Sequence, residues 1–198
     1  MELRPASGIG FHGHLSITSV DSDWFYDQDR TDALTMMNPP DSVISDRMEG
    51  DNVVTTNGTT VLVNSIIWSG IQDQASNLGV TTPTYLTPLW GAVGSGAGTV
   101  SASDTLLFSE LGRVTVGAGA SVPATPTLPA QFTWLFYFPN PTTTWTITEA
   151  GVFANGTSSN ATVATAGTLM DHWAFTPTVT VPTTDTAILQ ATFILTGM

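Results

Sequence analysis

The chain has 198 residues, 41% of them apolar and only 10% charged, with a net charge of −12 and no cysteine. Sixteen carboxylates against four arginines and no lysine exclude the basic footprint that phosphate binding needs, so neither nucleic acid nor an anionic membrane surface is an expected partner. Without cysteine there are no disulfides and no thiolate metal sites, which leaves packing or assembly to hold the fold. The start, MELRPASGIG, lacks a basic-then-apolar signal pattern, and no run approaches the ~18 apolar residues of a membrane span. The remaining composition, rich in Thr, Val, Ser, Gly and Pro, favours strands and turns over helices.

In chain order, residues 10–20 alternate Leu15 and Ile17 against His14, Ser16 and Thr18, and predict a first strand. Residues 21–51 then hold nine of the sixteen carboxylates, together with Trp24, Phe25, Tyr26, Met36 and Met37. They are expected to form a long acidic insertion or arm whose apolar side chains pack on the domain or on another subunit. A short strand is expected at 51–55. An amphipathic helix is expected from Thr59 to Trp68, capped by Thr56-Asn57-Gly58, with strand as the alternative because of its β-branched content.

Residues 84–92 are apolar and lead into Val93-Gly94-Ser95-Gly96-Ala97-Gly98. Its alternate glycines are like those of a phosphate-cradling loop, but no GxxxxGK[ST] lysine follows, so a plain connecting loop is expected. Ser103-Asp104 ahead of Leu106, Leu107, Glu110 and Leu111 reads as a short capped helical turn. A short strand at 113–118 and a Pro-rich loop at 119–130 precede QFTWLFYF at 131–138, the most apolar strand. The chain is expected to be organised around the next one, Thr142–Ala154. There Trp145 and Ile147 alternate with Thr144, Thr146 and Thr148, and Ala150-Gly151 is expected to shift the phase as a bulge would. A polar loop at 154–166 follows, then strands at 169–181 and 186–196, expected to pair with each other across Pro182-Thr183-Thr184-Asp185. The whole predicts a mainly β fold: an antiparallel β-sandwich with one short amphipathic helix, divided into an N-terminal strand plus acidic arm (1–47) and the sandwich (48–198).

Three stretches carry a resemblance to a known family. They are MEGDNVVTTNG at 48–58, WGAVGSGAGTVSASDTLLFSELGR at 90–113 and TITEAGVF at 146–153, in that order along the chain. They resemble the N-hydrophobic-hydrophobic-T-N-x-G opening, the G-x-G-T…S-D-T-x-L-x-x-E-x-x-R stretch and the T-I-T-E-A-G-L-F strand of small β-sandwich modules in virion proteins of tailed phages and related prokaryotic viruses, among them minor tail and tail-fibre proteins. The resemblance spans residues 48–197; the acidic insertion at 21–46 and the stretch 81–88 depart from it. It implies a virion subunit held by other virion proteins, often as a symmetric homo-oligomer, with a trimer the first expectation.

Among candidate sites, Asp21, Asp23, Asp27, Asp29 and Asp32 are spaced in part like Ca²⁺ ligands. Phe25 and Tyr26 stand where an EF-hand loop needs an oxygen ligand and a glycine, so a solvated loop partly neutralised by Arg30 is the simpler expectation. His12 and His14, two apart on a strand, face one side and could share a metal, but no third ligand is indicated locally. Glu149 is expected on the apolar face with Trp145 and Ile147, where it needs hydrogen bonds from backbone amides or from Arg113. No G-x-S-x-G elbow and no second carboxylate at a defined separation are nominated, so no catalytic residue is expected. The leading expectation is a non-enzymatic tail, tail-tip or fibre-associated subunit; capsid-surface decoration, a glycan- or receptor-binding module and, last, a hydrolase are the alternatives.

Overall fold

Alternation along the first strand sets the architecture. In β1 (Ile9–Asp21), Leu15 and Ile17 are wholly buried while His14 and Ser16 stay partly exposed. In the computed structural model, which describes residues 9–60, 89–122, 130–154 and 167–197, eight antiparallel strands close into a barrel. These are β1, β2 (Ile44–Val54), β3 (Leu89–Gly94), β4 (Glu110–Val122), β5 (Ala130–Pro139), β6 (Trp145–Ala154), β7 (Thr168–Val181) and β8 (Asp185–Gly197), in the spatial order β1-β2-β7-β6-β3-β4-β5-β8. β1 pairs with β8 along its whole length, from Ile9 opposite Gly197 to Asp21 opposite Asp185. The β2–β7 seam is the shortest, with only Val53 opposite His172 and Val54 opposite Asp171.

The barrel interior is filled by side chains such as Ile17, Val93, Phe136, Val152, Met170 and Leu189. Because neighbouring residues of a strand face opposite sides, the residues beside these point outward, and connecting segments cover them. On β5 and β8, outward Leu135 and Ile188 are roofed by Phe25 of α1 (Ser22–Asp27) and Met36 of α2 (Ala33–Met37). On β3, β6 and β7, outward Ala92, Phe153 and Leu169 are roofed by Leu107 from the segment between β3 and β4. Burying each Leu, Ile, Met or Phe among these side chains contributes about 1.5–3 kcal/mol.

Several elements differ from expectation. β2 starts at Ile44, seven residues before the expected strand, so the expected boundary at 47/48 falls inside it. Ser45, Arg47, Glu49 and Asp51 are its exposed face, Met48 and Gly50 turn inward, and Ile44, past a register break, packs against the cluster of Val20, Phe25 and Met36. Charges at alternate positions are the solvent side of a strand, not an arm. Residues 101–109 form turns rather than a capped helix, and Glu110 and Leu111 already belong to β4. β4 also runs on to Val122, through the first residues of the expected loop. β7 and β8 do not pair with each other: β7 lies between β2 and β6, β8 between β1 and β5, so their connection joins strands that are not neighbours in the barrel. Residues 56–60 are helical, capped by Thr55 rather than by Thr56-Asn57-Gly58, since the Gly58 N–H donates to Thr55 Oγ1 at 2.9 Å. The rest of the expected helix to Trp68, the stretch 81–88, the Pro-rich 123–129 and the loop 155–166 lie outside the described residues.

Candidate functional site

The phase shift expected at Ala150-Gly151 is present but displaced. The β6–β7 register breaks between Ile147 and Glu149, and again between Val152 and Phe153. The first break takes Glu149 off the interior face of Ile147 and places it on the outer wall, beneath the segment 95–109. There its carboxylate has no solvent exposure. Oε1 accepts the Gly96 N–H at 2.9 Å and the Ser109 N–H at 2.6 Å; Oε2 accepts the Phe108 N–H at 2.8 Å and lies 3.1 Å from His172 Nε2. Burial pushes this carboxyl up, but the His172 ring and the three backbone amides outweigh it and hold it below the ordinary glutamate value.

His172 is equally buried, and its Nδ1 lies 2.7 Å from Asp104 Oδ2. Both ring nitrogens therefore face carboxylate oxygens. The Phe108 ring lies 4.9 Å from the imidazole and shields it. Asp104 is fixed in turn by the Ser101 N–H at 2.9 Å. The result is a chain Asp104–His172–Glu149 that pins the 95–109 segment to β6 and β7. Its carboxylate is stabilised as an anion by fixed donors, which suits a clamp better than a base poised to take up a proton.

The alternate glycines have the same cause. A Cβ on Gly94 or Gly96 would fall 2.5 or 2.4 Å from Glu149 Oε1. One amide of this glycine loop, the Gly96 N–H, does bind an anion, the chain's own Glu149, while the other two backbone donors come from Phe108 and Ser109. Of the two donors expected for Glu149, the backbone amides are the ones present; Arg113 pairs with Glu110 (Nη2 to Oε2, 2.6 Å), with its guanidinium 3.8 Å over the Phe153 ring.

The opening motif converges on the same strand from the other side. Thr55 donates its hydroxyl to the Leu169 carbonyl and its N–H to Met170 O at 3.0 Å. Gly58 lies so near that a Cβ would sit 2.0 Å from Met170 O. Asn52 Nδ2 donates to Asp171 Oδ2. Asp104 and Asp171 were missed as site residues. The signal for the second was the polar pair Asp171-His172 inside an otherwise apolar run, TLMDHWAF.

The acidic residues of the insertion do local work. Asp21 caps α1 by accepting from the Asp23 and Trp24 amides at 2.8 and 3.1 Å. Asp32 caps α2 through the Leu34 and Thr35 amides and the Thr35 hydroxyl. Asp29 accepts from the Thr31 hydroxyl and N–H, and the Thr hydroxyls hold Asp29 and Asp32 below the ordinary aspartate value. Asp23 and Asp27 are exposed on α1, and Arg30 lies over the Phe25 and Tyr26 rings at 5.9 and 6.0 Å. His12 and His14 do face one side, and both meet Asp51 Oδ1, at 3.0 and 3.5 Å. Among the described residues, no three His, Asp or Glu side chains are arranged to hold a metal ion.

Compared with known proteins, the chain matches no family model, no curated protein and no solved structure.

Proposed function

We propose that the chain is a non-enzymatic structural subunit of a tailed-virus particle, in the tail, the tail tip or at a fibre, acting through contacts with other virion proteins and with copies of itself. One observation carries this reading. The three stretches that resemble the virion family, 48–58, 90–113 and 146–153, meet around residues 169–172 of β7, where their distinctive residues act as clamps and spacers. Asn52, Thr55, Gly58, Gly96, Asp104 and Glu149 are thereby committed to holding the barrel and its cover together, as the signature of a structural module would be. We read the barrel as flattened and sandwich-like, with β1, β8 and β5 on one wall, β7, β6 and β3 on the other, and β2 and β4 crossing between them. The insertion supplies a contact surface: Leu34 is 69% and Tyr26 50% exposed, among acidic side chains. Mass spectrometry of particles purified from the virus that encodes this chain tests the proposal. Many copies per particle are expected, and absence from intact particles contradicts it.

A glycan-binding role is the second reading, favoured by a polar groove of about 370 Å³ between the insertion and β1, β2 and β8. His14, Ser16, Arg47, Glu49 and Gln190 offer mixed donors and acceptors there, beside Pro39 as an apolar wall. Saccharide titration of the wild type and of Glu49→Ala, followed by NMR, separates the two readings: saturable shifts lost in the variant support the glycan role, and no shifts remove it.

A further inference from the structure

Asp171 faces the inside of the barrel, on the same side as Val54 of β2 and Val152 of β6, which lie opposite it in the two ladders. It has no solvent exposure. Its Oδ2 accepts the Asn52 amide, but its Oδ1 and the Asn52 Oδ1 are both buried without a hydrogen-bond partner. Two joined planar groups, each with an idle acceptor, are a costly arrangement for an ionised carboxylate, whose charge would need every lone pair served. A single proton repairs both faults. Placed on Asp171 Oδ1, it donates to Asn52 Oδ1 while Asn52 Nδ2 goes on donating to Oδ2, the reciprocal pairing open to a carboxylic acid and a primary amide.

We infer that Asp171 is a proton-binding site of the folded protein, and that its proton closes an acid–amide ring with Asn52 which ties β2 to β7. Burial, opposed by the smaller pulls of the His172 backbone N–H and the Asn52 amide, pushes the Asp171 carboxyl well above its ordinary value in agreement with this. The groups facing it are Asn52 and Val54 from β2 and Val152 from β6, with Gly13 of β1 backing Asn52: a Cβ there would fall 2.1 Å from Asn52 Oδ1. The ionisable neighbours in sequence point away: Asp51 is exposed on the outer face, and His172 is turned to Glu149. The site lies at the seam with the fewest residue pairs in the barrel, so loss of the proton strikes where closure is weakest.

The consequence has a definite sign. The unfolded chain releases this proton near the ordinary aspartate value and the folded chain keeps it to higher pH, so the stabilisation is full at low pH and is lost as pH rises toward the folded value. Asp171→Asn mimics the protonated acid, because its amide also pairs reciprocally with Asn52. Urea unfolding of the wild type and Asp171→Asn across a pH series is the test. The wild type's unfolding constant is expected to climb relative to the variant's by about tenfold per pH unit between the two values. Parallel pH profiles overturn the inference. Should Asp171→Asn fail to fold, the carboxyl ¹³C resonance of Asp171 in the wild type decides: a protonated-acid shift at neutrality supports the site, and a carboxylate shift overturns it.

Discussion

Glu149 Oε2 and His172 Nε2 lie 3.1 Å apart on neighbouring strands, both without solvent exposure, and the same carboxylate gathers three backbone amides from the segment that covers them. The pair therefore joins two layers: the wall formed by β6 and β7, and the roof formed by 95–109. Removing either side chain leaves a buried partner unsatisfied. Glu149→Ala is expected to destabilise the protein by about 3 kcal/mol or more, and Glu149 and His172 are expected to couple by about 1–3 kcal/mol in a double-mutant cycle. Urea denaturation of the two single variants and the double variant checks this; additive effects would mean that the two groups are independent.

The clasp is expected to weaken in acid. The folded Glu149 carboxyl is held below its ordinary value of 4.5, so its contribution is present above that value and is lost as pH falls through the lower, folded one. Hydrogen exchange at the Gly96, Phe108 and Ser109 amides reads it directly. Their protection is expected to fall toward low pH in the wild type and to be low at every pH in Glu149→Gln.

Two glycines separate a rigid obstacle from a yielding one. A Cβ at Gly58 meets the Met170 backbone at 2.0 Å, whereas a Cβ at Gly98 meets only the half-exposed Phe108 ring, at 2.7 Å. Gly58→Ala is expected to cost about 2 kcal/mol or more despite the better helix propensity of alanine, and Gly98→Ala less than about 1 kcal/mol. Thermal melts of the two variants compare them, and equal losses would contradict this packing.

The carboxylates of the insertion are expected to behave as helix caps. Asp21→Ala and Asp32→Ala should each lose about 1 kcal/mol of stability, with the wild-type melting temperature unmoved by millimolar Ca²⁺. A rise of several degrees on adding Ca²⁺, abolished by either substitution, would restore the cation reading.

Much of the barrel was legible because strand alternation is a local property. Leu15 and Ile17, the run at 131–138 and the Trp145–Ala154 strand declare their buried faces in the sequence itself. Partnership was not legible. β7 and β8 look like a hairpin across a short turn, and only the closure of all eight strands gives them different neighbours, β2 and β6 for β7 and β1 and β5 for β8. Only the end of β2 was legible, as the strand expected at 51–55; its first half was hidden because its outer face carries Arg47 and Glu49 and its inner positions include Gly50, whose value appears only against Trp173. The need of Glu149 for backbone donors was readable from its apolar setting, but not which donors. A register break at Ile147/Glu149 decides which face it takes, and its partners Gly96 and His172 lie far off in sequence on other elements.

Sedimentation velocity of the purified chain at moderate salt, over a range of concentrations, tests the central claim most directly. An assembly subunit is expected to form a defined oligomer, a trimer foremost, and Leu34→Asp on the exposed face of α2 should shift it to smaller species without unfolding it. A chain that stays monomeric at every concentration, with Leu34→Asp indistinguishable from wild type, would contradict self-assembly through this surface.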